Sequence, residues 1–113
     1  MHELSIAINI VEIAEAETRK AGASRVTDLD LEVGAFSGVV IEALEFAMKE
    51  AVRNSVLETA KVTIHEISAR GRCSDCGKEF GVTDYFDICP ACNGTSIEIT
   101  QGQELQVKSL NVV

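Results

Sequence analysis

Apolar residues recur every three or four positions along the first twenty residues of the chain. This spacing predicts an amphipathic helix, because side chains three and four positions apart share one face of a helix. Arg19 and Lys20 fall in its last turn, where cations suit the negative end of the helix dipole, and Gly22 marks its end. The predicted apolar face consists of Leu4, Ala7, Ile8, Val11 and Ala14, with Ile6, Ile10 and Ile13 on its flank.

The segment VTDLDLEVG then alternates apolar and acidic residues. Strict alternation predicts a half-buried strand with Leu29, Leu31 and Val33 facing the core. The turn GAFSG follows, and Ser37 is the predicted N-cap of a second helix. The predicted core stripe of that helix consists of Val40, Ala43, Leu44, Ala47, Met48 and Ala51.

Two further segments have the pattern of strands. Ala60, Val62 and Ile64 alternate with polar residues, which places His65 on the polar face as an ordinary strand residue rather than a metal ligand. The final stretch, QELQVKSLNVV, is again apolar at alternate positions, but its parity changes near Ser109, which predicts a bulge. Because an unpaired apolar strand is a liability, we expect it to return to the sheet of the first segment.

Four cysteines lie between Arg70 and Gly102, in two C-x-x-C pairs separated by twelve residues. Four thiolates complete the tetrahedral coordination of zinc and leave no position open for a substrate. Glycines 77 and 94 lie just beyond the pairs, where a turn needs backbone freedom. Thioredoxin-like redox chemistry is disfavoured, since it needs one pair in a strand-helix context. The predicted ligands of this structural zinc ribbon are Cys73, Cys76, Cys89 and Cys92.

Together these elements predict an α+β fold in which two helices pack on a small mixed β-sheet, with an inserted zinc-ribbon domain. The first domain is predicted to be discontinuous, comprising residues 1–68 plus 103–113. The ribbon is predicted to occupy residues 69–102.

The charge balance restricts the function. Ten basic and eighteen acidic residues give a net charge of −8, and residues 69–113 hold four basic against six acidic residues. Nucleic acid and anionic membranes are therefore disfavoured as partners. We expect no membrane span and no secretory signal, and hence a cytoplasmic protein. No catalytic constellation is evident, so we predict no enzyme. A zinc-ribbon module for protein–protein or nucleic-acid interaction is the alternative function.

The chain begins MHELSIAI, which places His2 next to the α-amine. A terminal residue is usually frayed and tolerates substitution. The amine and the imidazole are, however, both ligands for transition metals. The residues alone leave both interpretations open.

Four segments resemble the HypA/HybF family of nickel metallochaperones over the whole chain. They are MHELSIA, LEVGAFSGV, the two C-x-x-C pairs and ITQGQELQVKSLNV, in this order. The resemblance implies a nickel-binding domain of helices on a small mixed sheet and a separate zinc domain. It also implies delivery of nickel during maturation of nickel-iron hydrogenase and, in some organisms, urease. The implied partners are a GTPase accessory protein, the hydrogenase large subunit and urease accessory proteins.

The same resemblance assigns Met1, His2 and Glu3 as the nickel motif. The amine of Met1 and the amide and imidazole nitrogens of His2 can close adjacent chelate rings, and the amide or carboxylate of Glu3 can add another donor. Nitrogen-rich tetragonal sites suit Ni(II) and Cu(II). Nickel would then be the transferred cargo, whereas zinc would be structural.

The chain departs from some relatives where a further nickel ligand would lie. Val40 follows the GAFSGV turn at a position where a carboxylate would be expected. Neither Glu42 nor His65 is assigned as a ligand. The remaining coordination positions are left to water, a partner residue or a second subunit, the last of which would imply a homodimer.

Overall fold

The computed structural model describes residues 3–113, so Met1 and His2 lie outside the described residues. The described chain has the predicted α+β composition, and the predicted first helix and first strand are confirmed. In chain order the elements are α1 (Glu3–Lys20), β1 (Val26–Gly34), α2 (Ile41–Ala51), β2 (Lys61–Ile67), β3 (Arg70–Cys73), β4 (Glu79–Gly81), β5 (Ile97–Gln101) and β6 (Leu105–Val112).

The first sheet has the strand order β2-β1-β6. β1 is parallel to β2, which requires a crossover that α2 supplies, and antiparallel to β6. The final strand therefore returns to the first sheet, as predicted. Asp30 pairs with Ser109 whereas Leu31 pairs with Val107, so Lys108 is out of register and the predicted bulge is confirmed.

The core lies between this sheet and the two helices. Leu29, Leu31 and Val33 of β1 are at most 1% exposed, as their alternation predicts. Each such side chain stabilises the fold by about 1.5–3 kcal/mol relative to an exposed one. Val62 and Ile64 of β2 pack against the same core. The central strand is thus the element on which both helices depend.

The predicted face of α1 is partly wrong. Leu4 and Ile8 are 55% and 46% exposed, whereas Ile10, predicted on the flank, is buried. Thr18 is also buried, and its hydroxyl donates to the carbonyl of Ala14 at 2.7 Å. The apolar surface of α1 is wider than one face, so periodicity could not decide which part meets the sheet.

The predicted start of α2 is also wrong. Ser37 is not its N-cap, because the Ser37 hydroxyl accepts the N–H of Val39 at 3.2 Å in a local turn. The helix begins at Ile41 after Val40, which provides no side-chain cap and is 56% exposed rather than in the core. Instead, the Glu3 carboxylate accepts the Val40 N–H at 3.4 Å. A residue 37 positions away thus accepts the N–H of the residue that precedes the helix.

The second sheet has the order β4-β3-β5 and is antiparallel throughout. It is inserted between β2 and β6 in the chain. Two chain segments connect the second sheet to the first, and the GAFSG turn contacts both of them. The Ala35 N–H donates to the carbonyl of Ile67 at 2.8 Å, and the Phe36 N–H donates to that of Gly102 at 2.6 Å. A side chain at Gly34 would overlap the Gly102 carbonyl, so this close approach requires glycine. Independent folding of the two units stays a prediction.

Candidate metal centre

The two C-x-x-C pairs form equivalent turns. In each, the N–H four residues after the first cysteine donates to the carbonyl of that cysteine, from Gly77 to Cys73 at 2.8 Å and from Asn93 to Cys89 at 2.9 Å. The N–H of each first cysteine donates in turn to the carbonyl five residues further along, at 2.9 Å in both cases. Two similar backbone loops therefore present their sulfurs toward each other.

All four sulfurs lie within 4.8 Å of one another. The Sγ atoms of Cys73 and Cys92 are 3.6 Å apart, as are those of Cys76 and Cys89. A tetrahedral ion with metal–sulfur bonds of about 2.3 Å has sulfur–sulfur edges of about 3.8 Å, whereas a disulfide is about 2.05 Å long. The cluster therefore has the dimensions of a four-thiolate metal site, and its cysteines form no disulfide.

The electrostatics of the cluster also favour a cation. Burial raises the pKa of the Cys89 thiol, but the N–H groups of Cys92 and Ala91 and the neighbouring sulfurs lower it to about 7. The N–H of Gly94 lowers the pKa of Cys92, yet the adjacent Cys73 and Cys76 sulfurs raise it to about 12. The sulfurs thus resist ionising together, and a divalent cation at the centre would relieve their mutual repulsion.

Of the predicted nickel donors, only Glu3 lies within the described residues. Its carboxylate is bonded to the Val40 N–H, which places the start of α1 beside the start of α2. No signal in the sequence pointed to this contact, because it depends on how the helices pack. Within residues 3–113, His, Cys, Asp and Glu side chains form metal-sized groups of three or more only at the four cysteines, so Glu42 and His65 belong to no such group.

His65 lies on the polar face of β2, as predicted. Its Nε2 is 2.8 Å from Oδ1 of Asp30 on β1, and the Ser109 hydroxyl donates to Oδ2 of the same carboxylate at 3.2 Å. The hydrogen bond from His65, aided by Ser109, holds the pKa of Asp30 below its ordinary value although partial burial acts in the opposite direction. These hydrogen bonds connect β1, β2 and β6 and therefore stabilise the sheet.

Comparison with known proteins identifies the family. A family model described as "Hydrogenase/urease nickel incorporation, metallochaperone, hypA" matches residues 1–112. The chain belongs to this family. The hydrogenase maturation factor HypA of Geobacter metallireducens is 46% identical over 112 residues, which cover 99% of both chains. That of Parabacteroides distasonis is 46% identical over 110 residues, covering 97% of this chain and 96% of the relative.

The fold of the HypA family agrees with the architecture described above. The solution structure of the nickel metallochaperone HypA from Helicobacter pylori is 23% identical, covers 100% of this chain and 98% of its own, and superimposes with a TM-score of 0.72. As a HypA-family member, the chain is a maturation factor and metallochaperone rather than an enzyme. Within the described part of the chain, no helix is long and apolar enough to cross a bilayer.

The glycines that follow the two cysteine pairs of this chain have different roles. Gly77 has the positive φ of +79° that its turn needs, as predicted. In the second turn the positive φ belongs instead to Asn93, at +61°. Gly94 is needed for space, because a Cβ there would lie 2.8 Å from the Asp75 carboxylate and 3.2 Å from the Cys92 sulfur.

Gly94→Ala is therefore expected to weaken metal binding at the cluster. The added methyl group would push against the Cys92 sulfur, and we expect at least about a ten-fold lower Zn(II) affinity, or about 1.4 kcal/mol. Competition with a chromogenic chelator measures this affinity. Gly81→Ala is the matched control, since a Cβ at Gly81 meets nothing within 4 Å. Equal affinities for the two variants would show that Gly94 is not needed for space.

Proposed function

We propose that this HypA-family protein binds Ni(II) at its N-terminus and delivers it during maturation of nickel-iron hydrogenase. One observation carries the proposal: the family match begins at residue 1 and therefore includes Met1, His2 and Glu3. The donors would be the amine of Met1 and the amide and imidazole nitrogens of His2, a set that suits Ni(II). Such a terminal, partly backbone-built site would allow the ion to be released.

In this proposal Glu3 supports the site from the first turn of α1. Its carboxylate already accepts the Val40 N–H, which favours its amide nitrogen as the donor toward nickel. The carboxylate remains a second option if the bond to Val40 breaks. Water, a partner residue or a second copy of the chain would complete the coordination, and the last case would give a homodimer.

We further propose that Cys73, Cys76, Cys89 and Cys92 hold Zn(II). The sulfur–sulfur distances and the all-thiolate donor set support a closed tetrahedral site. Bound zinc would supply folding free energy to residues 69–102, where few side chains are buried. Residues 1–68 plus 103–113 would form the second unit, the nickel-binding domain.

The proposed partners follow from the proposed delivery. They are a GTPase accessory protein of nickel insertion, the hydrogenase large subunit and, given the family's description, urease accessory proteins. We propose the cytoplasm as the compartment, since four cysteines that form no disulfide suit a reducing environment. The net charge of −8 makes nucleic acid and membranes poor partners.

Metal analysis and native mass spectrometry of the untagged full-length protein test both metal assignments. We expect one Zn(II) per chain as purified, with thiols that an alkylating reagent labels slowly. Titration should then add one Ni(II) without displacing the zinc. Four rapidly labelled thiols at full zinc occupancy would overturn the zinc assignment. Nickel that binds only by displacing zinc would overturn the N-terminal assignment.

A further inference from the structure

The loop at residues 83–88, which we call the aromatic loop, presents the most exposed large apolar side chain among the described residues. Phe86 is 91% exposed, and Ile88, two residues further along the chain, is 52% exposed. Single exposed apolar residues are common on protein surfaces. The aromatic loop is unusual because hydrogen bonds within it fix the backbone that carries the exposed Phe86 side chain.

Two aspartates stabilise the aromatic loop by accepting hydrogen bonds from other residues of the loop. The Asp87 carboxylate accepts the N–H of Thr83 at 2.8 Å and also its hydroxyl. The Asp84 carboxylate accepts the N–H of Phe86 at 2.7 Å, which fixes the backbone where the ring is attached. These bonds leave Phe86 few backbone conformations, so little entropy remains to be lost when the ring is covered.

A third contact ties the aromatic loop to the GAFSG turn, which leads to the start of α2. The Tyr85 ring stacks on Phe36 with centroids 4.3 Å apart, and its hydroxyl donates to the Phe36 carbonyl at 3.3 Å. Phe36 lies in the turn that leads to Val40, whose N–H donates to Glu3. His2 is one peptide bond from Glu3 in the sequence. The aromatic loop is therefore connected to Glu3 through Phe36 and the short segment that follows it to Val40.

We propose that the aromatic loop docks the protein that accepts nickel, with Phe86 inserted into an apolar pocket that has a basic rim. The inference rests on the proposed function, because an acceptor must approach the end that carries His2. A rigid aromatic side chain is a typical anchor of a protein–protein interface. Asp84 and Asp87 lie on either side of it in the sequence, and their negative charges favour a basic rim.

The same charges argue against two other occupants. A second copy of this chain would bring the same two aspartates and a net charge of −8 to the contact. An anionic membrane would meet the same repulsion. The ribbon would thus have a role beyond holding zinc, namely to position Phe86 for the acceptor.

The test measures the affinity of the full-length protein for the purified precursor of the hydrogenase large subunit from the same organism. Phe86→Ser should weaken binding at least about ten-fold, as expected for loss of an interface anchor. Phe46→Ser is the matched control, since Phe46 is 71% exposed on α2 and outside the aromatic loop. It should bind within about two-fold of the wild type. Wild-type affinity should fall as salt is added, because the rim is basic.

Each outcome decides between this inference and the proposed function. Phe86→Ser should keep its zinc, its helical circular dichroism and its nickel affinity, whereas His2→Ala should lose nickel but still bind the precursor. Wild-type binding of nickel but not of the precursor would overturn the docking proposal alone. The docking proposal would also be overturned if Phe86→Ser and Phe46→Ser lost the same affinity for the precursor. It would be overturned as well if Phe86→Ser weakened binding only to the accessory GTPase. Absence of nickel binding in the wild type would overturn the proposed function instead.

Discussion

His2→Ala is expected to lower the Ni(II) affinity of the full-length protein at least about a hundred-fold, or about 2.7 kcal/mol. The substitution leaves the amine and backbone amides as the only nitrogen donors. Without an anchoring imidazole, these bind nickel weakly near neutral pH, because an amide must lose its proton to coordinate. Zinc content and helical circular dichroism should not change, since the substitution removes neither a cysteine of the cluster nor a residue of the described core. Isothermal titration with Ni(II) measures the loss.

The other histidine offers a matched control. His65→Ala should retain wild-type nickel affinity, because His65 lies on the polar face of the sheet, bonded to Asp30. Extending the chain before Met1 should weaken binding as well, since it replaces the amine by an amide. Nickel affinity of His2→Ala equal to that of the wild type would leave the histidine a merely tolerated terminal residue.

Nickel affinity is also expected to fall as the pH is lowered. The imidazole of His2 and the α-amine of Met1 both bind nickel as free bases, and their reference pKa values are about 6.5 for histidine and about 8 for the amine. Protons therefore compete with the metal, and affinity should fall steeply toward pH ~6.

Cys76→Ser is expected to release zinc and unfold the ribbon while most of the helix-sheet unit persists. Between residues 69 and 102 the buried apolar side chains are only Ala69, Val82 and two of the cysteines. Structural zinc contributes an apparent ~10–16 kcal/mol in small zinc-binding peptides, far more than so few buried groups can. The main core, by contrast, draws on α1, β1 and α2 and includes no residue of the ribbon.

Zinc analysis, circular dichroism at 222 nm (an ordinary helix band) and amide hydrogen exchange measure these effects. We expect loss of the metal, a nearly unchanged helical signal and rapid exchange confined to residues 69–102. Ser74→Ala, an exposed position in the same turn, should retain its zinc. A helical signal that collapses together with zinc loss would contradict the division into two units.

Local features of the fold could be predicted from the sequence because neighbouring residues determine them. Alternation in β1 identified its buried face, since successive side chains in a strand point to opposite sides. The parity change near Ser109 identified the bulge for the same reason. The cysteine spacing predicted a four-sulfur cluster because each C-x-x-C turn is a local structure. The N-terminal motif could be named only through its resemblance to a family.

Tertiary packing decided what periodicity left undetermined. The apolar surface of α1 extends beyond one face, so only docking on the sheet determined that Ile10 is buried and Ile8 exposed. The Val40 N–H at the start of α2 donates to Glu3, 37 residues earlier, a contact that no local pattern encodes. Tyr85 reaches Phe36 across 49 residues for the same reason. The sequence by itself determined the first helix, the buried face of β1, the bulge in β6 and the two C-x-x-C turns, because these depend on neighbours in the chain. Only the tertiary structure decided which helix surface is covered and that Tyr85 stacks on Phe36, because these depend on contacts between distant segments.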